Sequence, residues 1–189
     1  MKKETRKDEI IHTAAILFKE KGYSAVTMRD IANEMGIKAA SLYNHIKSKQ
    51  EILKIIILTL AEKFTQGMNN ISNSKVSSIK KLEAIIALHV NITTNNENEM
   101  ASLNADWMHL EEKLDYYLSL REEYENNFRN ILKEGTVKKE ISNVDVEIML
   151  FSILSTLRSL YLWIPKKEDS KPKKLTTDLC KVLLRGISK

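Results

Sequence analysis

Apolar residues recur at helical spacings along almost the whole chain. Between Glu4 and Lys21, Ile10, Ile11, Ala14, Leu17 and Phe18 share one side of a helix, with Lys, Arg, Asp and Glu between them, and Gly22 stops it. A second helix opens at Thr27, which can cap the N–H of Asp30 while Asp30 reciprocates and Val26 staples onto Ile31. It is short, because Gly36 follows Ile31, Ala32 and Met35 and suits a left-handed helix end. Ile37 re-enters the core, and residues 39–46 form a third short helix with Leu42 and Ile46 inward at i, i+4. Two short helices about a glycine turn make a helix-turn-helix.

Ser48-Lys49-Gln50-Glu51 is a second capping box, and it opens a long fourth helix through Ile52, Leu53, Ile55, Ile56, Ile57, Leu60 and Phe64. Further helices are predicted over about Ser77 to Thr94, Glu97 to Leu110, Glu112 to Glu134, Val144 to Trp163 and Lys174 to Ile187. The stretch from Gly135 to Asn143 reads as a polar turn, and Pro165 to Pro172 as a charged link. The fold class is therefore all-α, divided into a helix-turn-helix head at 1–48 and a helical body at 49–189.

Composition agrees, since only five Gly and two Pro in 189 residues leave few turn-formers for a sheet fold. The glycines are too scattered to write a phosphate-binding loop, which excludes nucleotide-loop chemistry. Cys180 is the only cysteine, so an intramolecular disulfide and a Cys-rich zinc site are excluded, and Cys180 reads as a small core residue. No apolar run approaches the roughly 18 residues of a spanning helix, and Met1 to Ile10 is charged, so a cytoplasmic protein with no membrane partner is expected. Residues 1–50 hold ten Lys or Arg against six Asp or Glu, whereas the rest hold twenty against nineteen. A basic head on a nearly neutral body points to a polyanion at the head.

Gly22-Tyr23, then Thr27-Met28-Arg29-Asp30-Ile31-Ala32 and Met35-Gly36-Ile37, closely resembles the DNA-binding head of TetR-family repressors. Ala40-Ser41-Leu42-Tyr43-Asn44-His45-Ile46-Lys47-Ser48-Lys49-Gln50-Glu51-Ile52-Leu53 resembles the family's recognition helix and its junction with the fourth helix. The resemblance implies a dimeric, ligand-responsive repressor released from a palindromic double-stranded DNA operator by a small-molecule effector. On the third helix, Ala39 and Ala40 are small enough to let the backbone into a major groove about 12 Å wide. Lys38, Tyr43 and Asn44 are the other outward candidates, with Asn able to read adenine and Tyr or Lys reaching phosphate or base edges. Thr27 and Lys49 stand at helix starts that can hold phosphates, and His45 joins them. The plainer alternatives are a core aromatic for Tyr43, a junction hydrogen bond for His45 and a cap alone for Thr27. The family often has Ser or Thr where Lys38 stands, and lysine cannot cap through an oxygen acceptor.

The helix from Glu147 to Trp163 is apolar nearly all round, so it must be covered on more than one side. With the stripe Leu175, Leu179, Val182 and Leu183 it makes the four-helix homodimer interface that the resemblance implies, through the last two helices. Trp107-Met108-His109-Leu110, Leu120 through Phe128, and Trp163-Ile164-Pro165 with Leu183 through Gly186 look like the branch of the family that senses fatty or steroidal acyl-CoA thioesters. Trp107, Met108, Tyr117, Tyr124, Phe128, Leu154 and Tyr161 are candidates to line a hydrophobic pocket, or are simply core. Arg158 is the only basic residue from Glu147 to Trp163 and is the candidate anchor for an acidic group. Its structural alternative is a pair with Asp106, Glu111 or Asp115, or an outward snorkel, and Arg121 is the second anchor candidate. No cofactor or metal is expected. His12, His45, His89 and His109 are dispersed and none belongs to an HExxH motif, so neither a hydrolase nor a transferase is read. A non-catalytic helical adaptor would explain the helices but not the basic head.

Overall fold

The computed structural model of the chain describes residues 5–166 and 171–185 and, except at Arg185, their side chains. Two of its first helices begin where a side chain meets the unpaired N–H groups of the first turn. Thr5 opens α1 (Arg6–Lys21) with a full capping box to Asp8, and Thr27 opens α2 (Met28–Glu34) with the predicted box to Asp30. After α2, Gly36 adopts φ +65° and Ile37 N–H returns to the Ala32 carbonyl at 2.9 Å. That turn delivers α3 (Ala39–Tyr43), whose N-cap Lys38 makes no side-chain cap, as its chemistry requires. The third helix is shorter than the predicted 39–46. Ile46 nevertheless points inward, 1% exposed, with its N–H on the Leu42 carbonyl.

Ser48 caps α4 (Lys49–Ser72) by accepting from Glu51 N–H at 3.1 Å, while the Glu51 carboxylate accepts from Lys47 N–H at 2.8 Å. The chain continues through α5 (Ser78–Asn95), α6 (Glu99–Ala105), α7 (Leu114–Val137), α8 (Val146–Arg158), α9 (Leu160–Trp163) and α10 (Pro172–Arg185). The helix predicted over 97–110 ends at Ala105 and gives way to two 3-10 turns, Trp107–His109 and Glu111–Lys113.

Gly135 does not turn the chain. It lies inside α7, buried, where an added Cβ would stand 2.9 Å from the Ser78 Cβ and 3.1 Å from Ile141, so glycine serves close approach rather than helix ending. The single helix predicted over 144–163 is broken at Ser159, whose N–H bonds the Ser155 and Thr156 carbonyls. By length and composition Val146–Lys166 is apolar enough to cross a bilayer, contrary to the expectation of no such run, although 39% of its most apolar window is buried within the chain. Its scattered Ser and Thr residues interrupt strict apolar runs without making the stretch polar.

Packing divides the chain into two units that do not follow a cut at 48/49: one comprises residues up to Ala61 with Asn96–Tyr117, the other Glu62–Asn95 with Leu118 onward. In the first, α1 packs on α2 and α6 around Ile10, Ala14, Phe18, Ile31, Leu42 and Leu53. Lys19 Nζ donates to Asn98 Oδ1 at 3.0 Å, and Lys54 pairs with Glu112. In the second, α5 packs on α8, α9 and α10, with Met68, Ile85, Ile86, Phe128, Ile131 and Leu157 buried.

Candidate functional site

Leu42 and Ile46 anchor α3 to the head, and this fixes which side chains face outward. Lys38, Ala40, Tyr43, Asn44 and His45 are exposed, and Ala39 is half-buried. Tyr43 is 53% exposed and so is not a core aromatic of the head. Among the described residues, the side chains of Lys38, Tyr43, Asn44 and His45 make no hydrogen bond or ion pair with the chain. Thr27 is exposed too, but its hydroxyl is engaged in the cap of α2, donating to Asp30 Oδ2 at 2.6 Å. Those bonds from Thr27 hold the Asp30 carboxyl below its ordinary pKa.

Lys49 stands at the start of α4, as expected, with its side chain turned back onto the chain. Its ammonium lies 2.8 Å from the Tyr23 carbonyl, 2.7 Å from that of Val26 and 3.4 Å from that of Ser24, with the Tyr23 ring centroid at 4.3 Å. An ammonium has three N–H donors, and these acceptors can occupy all three. Burial lowers its pKa. Lys49 therefore ties the start of α4 to the segment entering α2. Around it, Tyr23 hydroxyl donates to Gln50 Oε1, Gln50 Nε2 donates to the His109 carbonyl, and the Tyr23 and His109 rings lie 5.3 Å apart.

The candidate effector residues divide between the units. Trp107, Met108 and Tyr117 belong to the first, where Trp107 stacks on Tyr117 at 5.9 Å and Met108 is 58% exposed. Arg121, Tyr124, Phe128, Leu154, Arg158 and Tyr161 belong to the second; Tyr124, Phe128 and Leu154 are buried, and the other three half-buried. Arg158 pairs with a carboxylate that sequence reasoning did not single out, Glu125, which also accepts from Arg121 Nε at 3.1 Å and has Arg129 at 3.7 Å. Burial pushes the Glu125 carboxyl up, but the bonds from Arg158 and Arg121 outweigh it and leave the pKa lowered.

Beside that cluster is a buried pair also missed from sequence. His89 Nε2 and Tyr124 Oη are 2.8 Å apart, with the Phe64 ring 4.7 Å from His89. Burial, helped by Arg158, lowers the His89 pKa to about 3, and burial raises that of Tyr124 against the opposing charge of Arg158. An i, i+4 pattern of His89 and Thr93 among apolar α5 residues was the available signal. Two open grooves, about 780 Å³ between α5 and α10 and about 540 Å³ beside α8, α9 and α10, contain none of the effector residues proposed from sequence. Among the described residues no three His, Cys, Asp or Glu side chains gather as a metal site.

A three-helix head that displays one short helix across a glycine turn, joined to an otherwise helical chain, defines a DNA-binding regulator of the helix-turn-helix class. Residues 10–56 match the model of bacterial regulatory proteins of the tetR family, and residues 75–187 match the tetracyclin repressor-like C-terminal domain. The chain belongs to the TetR family of transcriptional regulators. It is 29% identical over 149 residues to the transcriptional repressor KstR2 of Rhodococcus jostii, covering 77% of this chain and 73% of that protein. It is 54% identical over 46 residues to the biofilm-operon regulator IcaR of Staphylococcus aureus, covering 24% of this chain and 25% of that protein. The structure of the ketosteroid regulator KstR2 of Mycobacterium tuberculosis superposes with a TM-score of 0.91 at 20% identity, over 98% of this chain and 96% of that one. That of PfmR from Thermus thermophilus superposes at 0.81 with 26% identity, over 95% and 99%.

Proposed function

We propose that the chain acts in the cytoplasm as a homodimeric repressor that reads a palindromic operator through α3 and is released by an apolar, acyl-type effector, with no catalysis involved. The observation that carries the DNA part is the outward row of Lys38, Ala40, Tyr43, Asn44 and His45 on a helix whose opposite side is locked by Leu42 and Ile46. Small and hydrogen-bonding side chains in that order suit a major groove, and exposed Thr27 adds a contact at the start of α2.

Dimerisation is assigned to α8 and α10. Ile148, Phe151 and Leu162 are 59%, 71% and 56% exposed, and Val182 on α10 is 73% exposed, an apolar surface that asks for a partner. Leu157, by contrast, is buried within the chain and belongs to its own core.

The effector site is assigned to the second unit, around Tyr124, Phe128, Leu154 and Tyr161, with Arg121 and Arg158 at its polar margin. The Mycobacterium tuberculosis relative is described as a ketosteroid regulator, which accords with a bulky apolar effector. The test is a mobility-shift titration on the DNA upstream of the chain's own gene: binding is expected for the unaltered protein and at least tenfold weaker binding for Tyr43→Ala, a difference of about 1.4 kcal/mol. Equal affinity for scrambled DNA would remove the operator reading.

A further inference from the structure

Thr93 and His89 stand one turn apart on α5, and each keeps a buried polar atom without a partner among the described residues. Thr93 is fully buried and His89 is 3% exposed. Among the described residues, neither Thr93 Oγ1 nor His89 Nδ1 has a hydrogen-bond partner. The threonine is the more telling of the two. A helical threonine hydroxyl commonly returns to the carbonyl four residues back, as those of Thr94, Thr136, Thr156, Thr176 and Thr177 do at 2.8–3.1 Å. Thr93, where an unmet hydroxyl is most costly, does not.

Tyr124 decides what His89 presents. A phenol is the stronger acid and an imidazole nitrogen the better acceptor, so the hydrogen-bond network assigns the Tyr124 O–H as donor to Nε2. Burial keeps the ring neutral, and its own proton is then on Nδ1. Nδ1–H and the Thr93 O–H are thus two donors on one helix face, at positions whose Cβ atoms are about 5–6 Å apart, beside the rings of Phe64 and Tyr124. Two donors in an apolar setting suit an oxygen that offers lone pairs and carries no proton. Arg158, the cation whose field reaches His89, is already paired with Glu125, which favours an uncharged oxygen over a carboxylate.

We infer that His89 and Thr93 form the polar recognition point of the effector site and take the carbonyl oxygen of an otherwise apolar effector, such as a ketone, ester or thioester. This rests on the effector reading above. The competing occupant is a structural water accepting from both donors.

The test uses the full-length protein with two matched probes, 2-decanone and decane, at equal concentration. It reads stabilisation against heat and, with carbonyl-13C ketone, the carbonyl chemical shift. The ketone should bind about tenfold more tightly than decane, with a downfield shift, and Thr93→Val should lose most of that preference while binding decane as before. Thr93→Val should melt no lower than the unaltered protein, since it removes an unmet hydroxyl. Thr93→Ser, which keeps the hydroxyl, should keep the preference. Equal binding of the two probes, a preference unchanged in Thr93→Val, or its loss in Thr93→Ser as well overturns the inference while leaving the effector site standing. A Thr93→Val protein that melts well below the unaltered one assigns the hydroxyl to a structural water and also overturns it. Binding of neither probe removes the effector reading itself, and the inference with it.

Discussion

The Arg158 guanidinium donates to the Glu125 carboxylate at 2.8 Å, across from α8 to α7. Arg121 shares the same oxygen from one turn back along α7, so Arg158 meets a carboxylate within the chain. The Arg158 side chain is 35% exposed, and solvent screens the pair. Arg158→Met is therefore expected to cost no more than about 1 kcal/mol, because Glu125 keeps its other arginines. Glu125→Gln should cost more, since it leaves Arg158 without its carboxylate beside buried His89 and Tyr124. Urea midpoints of the two variants check the order; a larger loss for Arg158→Met would mean that Glu125 is not the hub.

Acid should weaken the fold through His89. Its folded pKa of about 3 lies below the ordinary 6.5, so the unfolded chain takes up the proton first as pH falls. Stability is fully present above 6.5 and declines from there toward 3, by at most about 1.4 kcal/mol per pH unit from this group. Tyr124 and Phe64 pack against the ring, Arg158 adds positive charge nearby, and Glu125 is held charged by its arginines. His89→Gln, which cannot titrate, should flatten the dependence between pH 6.5 and 4 in chemical denaturation. An unchanged slope would locate the acid sensitivity elsewhere.

Lys38 and Lys49 should separate contact from positioning. Lys38→Ala removes an exposed cation and should lower the salt slope of operator binding by about one. Lys49→Met removes the tie to Tyr23 and Val26 and should weaken DNA binding through a loosened head, with the salt slope unchanged and a lower melting temperature. Binding measured from 50 to 200 mM salt distinguishes them. A drop of about one in the Lys49→Met slope would return Lys49 to the phosphates.

Phe151→Glu and Val182→Glu place charge on apolar side chains that are 71% and 73% exposed. Both should shift sedimentation from dimer toward monomer while the isolated chain stays folded by circular dichroism, because neither side chain is in the chain's own core. Dimers of unaltered affinity in both variants would move the interface off α8 and α10.

Local chemistry was legible in the sequence. The Thr27 and Asp30 box, the left-handed Gly36 and the inward Leu42 and Ile46 all follow from interactions within a few residues of one another, so residue type and spacing suffice to state them. The all-α class and the helix-turn-helix were readable for the same reason. Gly135 was misread because a glycine that ends a helix and one that admits a neighbouring element look alike until Ser78 and Ile141 are seen against it.

By itself the sequence determined the helical class, the caps at Thr27 and Ser48 and the inward side of the third helix, because helix periodicity and capping are short-range effects. Only the tertiary structure decided that Lys49 turns its ammonium onto the Tyr23 and Val26 carbonyls, that Arg158 meets Glu125, 33 positions away, and that His89 meets Tyr124, 35 positions away. Each depends on which faces of distant helices are packed together. A charge or a hydrogen-bonding group is committed to one partner only when that packing has removed water from the alternatives.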